Sequence, residues 1–87
     1  MDYEKMSDLM KVLGHPVRLQ MVEGLIKHEC NVNKIMEKLG IPQSTTSQHL
    51  ALLKNKGIVS LRKEGVKTCY CVTNDLVKRL MAVLTKG

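Results

Sequence analysis

Tryptophan and phenylalanine are absent from this chain, and two tyrosines are its whole aromatic content. A hydrophobic core must therefore be built from Leu, Ile, Val and Met, a composition that favours packed helices. Cysteine is scarce as well: three, an odd number without a secretory leader pattern, excludes a disulfide framework and makes thiols the default. No apolar run approaches the ~18 residues of a membrane span. Asp2, Glu4 and Asp8 interrupt the first ten residues, where a signal peptide would be apolar. The expectation is a cytoplasmic protein with no membrane partner. There is no internal repeat, linker or low-complexity stretch, and 87 residues suffice for one domain, spanning residues 1–87. A chain of this size buries a little over ~60% of its unfolded surface, so the core is thin.

What the chain has in excess is positive charge: 14 Lys and Arg against 8 Asp and Glu, for a net charge of +6. Residues 32–67 hold seven basic and two acidic side chains, whereas residues 1–31 hold four and five. A basic middle third suggests an anionic partner such as nucleic acid.

Met6, Leu9, Met10 and Leu13 recur at helical spacing before Gly14, and predict a first helix, α1. His15-Pro16 opens α2, because proline is tolerated in a first turn, and Leu19, Val22, Leu25 and Ile26 give it a face up to about Lys27. Asn31 is placed to cap α3, whose Val32, Ile35, Met36 and Leu39 precede Gly40. Pro42 is expected in the first turn of α4, with Thr46, Leu50 and Leu53 inward, His49 and Leu52 beside them, and Gly57 as the stop. Helix, tight glycine turn, helix is the helix-turn-helix order. The period then becomes two: Ile58 to Lys63, a Glu64-Gly65 turn, and Val66 to Val72 read as a β-hairpin. Thr73-Asn74 caps α5, which carries Leu76, Val77, Leu80, Met81, Val83 and Leu84. That is more apolar surface than one core contact needs; with Leu9 and Leu13 it points to a homodimer. The fold class is thus mainly α with a small β-hairpin, in the order α1-α2-α3-α4-β-β-α5.

Residues Gln43 to Gln48 read Gln-Ser-Thr-Thr-Ser-Gln, polar and uncharged at a helix start whose inner face belongs to the core. At ~100° per residue, Gln43, Ser44, Ser47 and Gln48 share an outward face suited to base edges and phosphates in a major groove, with Thr45 beside them. Serine and threonine also serve as ordinary helix caps, the bland alternative. Arg62, Lys63 and Lys67 surround the hairpin turn, and Lys54 and Lys56 extend the basic patch toward α4, a pattern for phosphate contact. Lysines on a hairpin also protect an edge strand from aggregation.

Three stretches stand out: Gly14-His15-Pro16-Val17-Arg18-Leu19, then Leu39-Gly40-Ile41-Pro42-Gln43-Ser44-Thr45-Thr46-Ser47-Gln48-His49-Leu50, then Leu53 through Gly57-Ile58-Val59 with Arg62-Lys63-Glu64-Gly65. Together they resemble the ArsR/SmtB family of winged helix-turn-helix repressors. The resemblance implies a homodimer formed through α1 and α5 that binds double-stranded DNA at an inverted-repeat operator. It implies DNA-reading positions at Gln43, Ser44, Ser47 and Gln48 and wing contacts from Arg62 and Lys63. Gln48 stands where many members carry histidine, a departure expected to alter base preference. His49 matches the family's next histidine, with a packing or phosphate-contacting role and no catalytic one.

Many relatives release DNA when a metal binds. Here Asn31-Val32-Asn33 stands where the α3 cysteines would fall, and the α5 ligand positions fall near Asn74 and Leu76, so no metal site of the family type and no cofactor are expected. His28 and Cys30 supply at most two ligands of a non-standard site, the metal-responsive alternative. Cys69 and Cys71 lie two apart on a strand, face the same side, and cannot readily bridge each other. A disulfide from Cys30 to either, or oxidation of one thiol, would make a redox switch. The competing reading is inert thiols packed against Tyr70 and α2. No residue constellation suggests catalysis, and the rival function is a winged-helix protein-protein module.

Overall fold

A computed structural model describes residues 1–28 and 32–86, the side chain of Lys67 apart. The elements are α1 (Tyr3–Leu13), α2 (Pro16–Lys27), α3 (Val32–Leu39), α4 (Gln43–Asn55), β1 (Val59–Glu64), β2 (Lys67–Val72) and α5 (Asp75–Lys86). This is the order that the sequence implies.

Local chemistry sets the boundaries. Asp2 Oδ1 accepts from Lys5 N at 3.0 Å at the start of α1, and Asn74 Oδ1 accepts from Val77 N at 3.1 Å at the start of α5. Pro42 lies outside α4 rather than in its first turn. Its extended backbone (ψ 152°) brings the chain in as N-cap, and its carbonyl accepts from both the amide and the hydroxyl of Thr46. The turn between α3 and α4 needs Gly40, whose φ of 65° is strained for an L side chain. The proposed cap of α3, Asn31, lies outside the described residues.

The core lies where α2, α4, the hairpin base and α5 meet. Met21, Val22, Leu25, Leu53, Ile58 and Val77 are all but completely buried. Glycine inside α2 has a packing reason: a Cβ on Gly24 would sit 3.0 Å from Ile35 Cγ1. The missing side chain lets α2 and α3 approach.

The two strands pair antiparallel from Val59↔Val72 to Glu64↔Lys67. Glu64 therefore still belongs to β1, and the turn is Gly65-Val66, one residue later than the pattern of charges suggests. Leu9, Leu13 and Met81, assigned from the sequence to a dimer surface, are buried in the subunit's own core. The apolar side chains left on the surface of α1 and α5 are instead Tyr3 (79% exposed), Met10, Leu76, Val83 (71%) and Leu84, with Leu80 half-buried.

Candidate nucleic-acid interface

Helix α4 divides into an inner row and an outer surface. Thr46, at 2% exposure, Leu50 and Leu53 form the row that faces the core, as their spacing predicts. Thr46 is tolerated there because its hydroxyl donates to the Pro42 carbonyl at 3.1 Å. Gln43, Ser44, Ser47, Gln48 and Lys54 are exposed and Thr45 is half-buried. The helix contains no acidic residue, so anions meet no like charge along it.

The outer surface has two flanks. Gln43 and Ser47 line a groove shared with Val32, Asn33 and Met36 of α3 and with Thr68 and Tyr70 of β2. Ser44 and Gln48 lie outermost by helical angle, and Thr45 and His49 lie on the far flank. There His49 meets α2: its ring lies 5.0 Å from that of His15, and Arg18 Nη1 lies 3.5 Å from His49 Nδ1. The Arg18 Nε–H donates to the Val12 carbonyl at 2.6 Å, and His15 Nδ1 accepts from Val17 N as the N-cap of α2. Burial, reinforced by the charges of His15 and Arg18, holds the His49 pKa below its ordinary value.

The hairpin separates its two cations. Residues of β1 alternate sides, so Lys63, paired with Thr68, lies on the sheet face that lines the α4 groove, and Arg62, paired with Cys69, lies on the other. Arg62 also shares its face with Glu64, and the two form an ion pair of 2.8 Å, both about half exposed. The ion pair gives Arg62, expected from the sequence to contact phosphate at the wing, a partner within the hairpin itself. Lys63 is exposed, whereas Lys67 faces Glu64 across the ladder with its side chain outside the described portion. Lys56 also departs from the basic patch: its ammonium contacts Asp8 of α1 at 2.6 Å. Sequence reasoning missed this contact and the His15–Arg18–His49 cluster, because each joins segments far apart in the chain.

Cys69 and Cys71 are both buried, on one side of β2 as their spacing requires. Cys71 is a free thiol, Cys69 is disulfide-bonded, and Cys30 lies outside the described residues. Among the described residues no group of three or more His, Cys, Asp or Glu side chains could hold a metal ion, and no helix is long and apolar enough to cross a membrane.

Comparison with known proteins agrees with this geometry. The family model described as bacterial regulatory protein, arsR family, matches residues 15–60. The transcriptional repressor PagR of Bacillus anthracis is 35% identical over 85 residues, which cover 97% of this chain and 85% of PagR. Reduced HlyU from Vibrio cholerae superposes with a TM-score of 0.86 at 32% identity, over 95% of this chain and 87% of HlyU. The homodimeric winged helix-turn-helix DNA-binding domain of Mb0332 from Mycobacterium bovis gives 0.79 at 30% identity, over 94% and 76% of the two chains. By sequence, by fold and by the arrangement of helix and wing, the chain belongs to the arsR family of bacterial regulatory proteins, winged-helix transcription regulators and not enzymes.

Proposed function

We propose that the chain is a homodimeric repressor that reads an inverted-repeat operator with α4, using Gln43, Ser44, Thr45, Ser47 and Gln48, and that Lys54, Lys63 and Lys67 hold phosphates beside it. The observation that carries this reading is the outer surface of α4, exposed, polar, free of acidic side chains and bordered by the basic hairpin. Short hydroxyls and amides are suited to hydrogen-bond base edges, whereas ammonium groups on a hairpin suit the phosphate backbone. Arg62 contributes after exchanging Glu64 for a phosphate. Dimerisation is supported by the apolar surface of α1 and α5 and by the homodimeric state of the Mb0332 domain. Two α4 helices related by a two-fold axis call for a palindromic site.

Regulation is assigned to thiol chemistry, through a Cys30–Cys69 disulfide whose reduction and formation alter the packing between the wing and α2. Its support is that Cys69, on the strand that packs against α2, is disulfide-bonded while Cys71 on the same strand is a free thiol. The test is a gel-shift series on promoter DNA from the gene's own neighbourhood, with and without a disulfide reductant. A discrete complex whose midpoint moves on reduction, and does not move for Cys69→Ser, supports the whole reading. No retarded complex on any promoter fragment overturns it in favour of a protein-protein module. An identical midpoint with and without reductant overturns the thiol assignment alone.

A further inference from the structure

An α-helix seated in a major groove has a phosphodiester strand along each of its flanks, since the groove is only about 12 Å wide. On α4 one flank faces the wing. The other faces the amino end of α2, where His15, Arg18 and His49 converge. All three side chains are partly exposed, so the cluster is open to a partner.

The hydrogen bonds of the cluster fix what it can offer. A guanidinium has no acceptor, so the 3.5 Å contact with Arg18 makes His49 Nδ1 the acceptor and leaves the proton on Nε2. His15 Nδ1 likewise accepts from the Val17 amide, leaving its own Nε2–H to donate. Arg18 is anchored at Nε by the Val12 carbonyl and has further N–H groups to spare. Neither imidazole Nε2–H has a protein acceptor among the described residues, and no described carboxylate pairs with Arg18. A set of donors gathered around a fixed positive charge, paired with no described carboxylate, is a site for an anion.

Resting on the DNA-binding reading of α4, we propose that His15, Arg18 and His49 form a second phosphate clamp, gripping the DNA backbone on the flank of α4 opposite the wing. Each subunit then straddles its major groove, with Lys63 on one strand and Arg18 on the other. The clamp also couples binding to protons. Among the described residues of the free protein, the charged groups acting on His49 come from α2, the neighbouring His15 and Arg18; α4 itself adds no acid, and the end of α1 presents the Val12 carbonyl to Arg18. Burial first, then the positive potential from the side of His15 and Arg18, disfavours imidazolium. A phosphate at the cluster favours it: the added proton enters at Nδ1, which gives up its contact with Arg18 and leaves that N–H for the phosphate, so binding takes up protons and strengthens as pH falls toward the ordinary histidine range.

The experiment measures anisotropy of a labelled random-sequence duplex with the full chain, in salt series at about pH 8 and about pH 6, near either side of histidine titration. The variants are His49→Gln, Arg18→Gln and, as a control on the opposite flank, Lys63→Ala, each checked for fold by circular dichroism. The clamp predicts that His49→Gln binds roughly tenfold more weakly than wild type at the lower pH and loses most of the gain on acidification, because a hydrogen bond to a charged group is lost. It predicts that Arg18→Gln flattens the slope of log K against log salt by about 0.9 per subunit. Should Arg18→Gln fail to fold, the pH response of His49→Gln decides alone. Wild-type pH response and affinity in a folded His49→Gln variant overturn the clamp, while Lys63→Ala still lowers the slope. If wild type shows no salt-dependent binding to DNA, the reading of α4 falls first and the clamp with it.

Discussion

Helices α4 and α5 both leave a face that the rest of the subunit does not cover, and the two faces differ in kind. That of α4 is made of amides and hydroxyls, Gln43, Ser44, Ser47 and Gln48; that of α5 is made of hydrocarbon, Leu76, Val83 and Leu84, and α1 likewise leaves Tyr3 and Met10 exposed. Each inner row is conventional, Thr46-Leu50-Leu53 in one and Val77-Met81 in the other. What differs is the surface each is prepared to meet. Hydrocarbon gains about 25 cal/mol for every Å² removed from water and suits a second copy of the same face. Amides and hydroxyls gain little by burial alone and suit a partner with patterned donors and acceptors.

Exchanging the character of the two faces should separate their functions, and the largest effect is expected on α5. Val83→Glu combined with Leu84→Glu would bury charge in the proposed dimer interface, so light scattering at micromolar concentration should find monomer in place of dimer, and operator affinity should fall by orders of magnitude. A wild-type monomer under those conditions would break the comparison at once. Next comes the polar face. Ser44→Ala and Gln48→Ala should each lose about 1 to 3 kcal/mol on the operator and far less on random DNA, with thermal stability preserved. Equal losses on both duplexes would reduce these side chains to positioning.

The wing sharpens the comparison more gently. Lys63→Ala should flatten the salt slope by about 0.9 per subunit on every sequence. Arg62→Ala should flatten it less, because Glu64 already holds the guanidinium and competes with phosphate. Glu64→Gln should then strengthen binding to operator and random DNA alike, as measured by anisotropy. The smallest expected effect is on stability. Because the folded-state pKa of His49 lies below its unfolded value, the unfolded chain binds the extra proton. Its contribution to stability is complete above the unfolded pKa of about 6.5 and is lost as pH falls from there through the folded value. Urea midpoints across that window should fall less for His49→Gln than for wild type.

Much of this comparison can be read from sequence. The glycines and prolines between periodic runs define the element order, and the spacing of Thr46, Leu50 and Leu53 identifies the inner side of α4 without tertiary information. Periodicity does not say which neighbour an apolar residue meets. Leu9, Leu13 and Met81 belong to the subunit core while Tyr3, Met10 and Val83 face outward, yet all lie on apolar-rich helices; only packing separates them. The Arg62–Glu64 pair is legible in principle, since residues two apart on a strand share a face. The hairpin turn lies one residue later than the charges suggest because Val66, fully exposed, looks like the start of a strand. The His15–Arg18–His49 cluster and the Asp8–Lys56 contact bring distant segments together, and no local pattern announces them.

The central claim is that the uncovered polar face of α4 reads DNA. The most direct measurement is the binding of wild type and Ser44→Ala to operator and random duplexes across a salt series. The account predicts that log K for wild type falls linearly and steeply with log salt on both duplexes, with the operator bound more tightly throughout, and that Ser44→Ala narrows that gap while leaving both slopes unchanged. A flat response to salt, or an unchanged gap in Ser44→Ala, Gln43→Ala and Gln48→Ala alike, would contradict it.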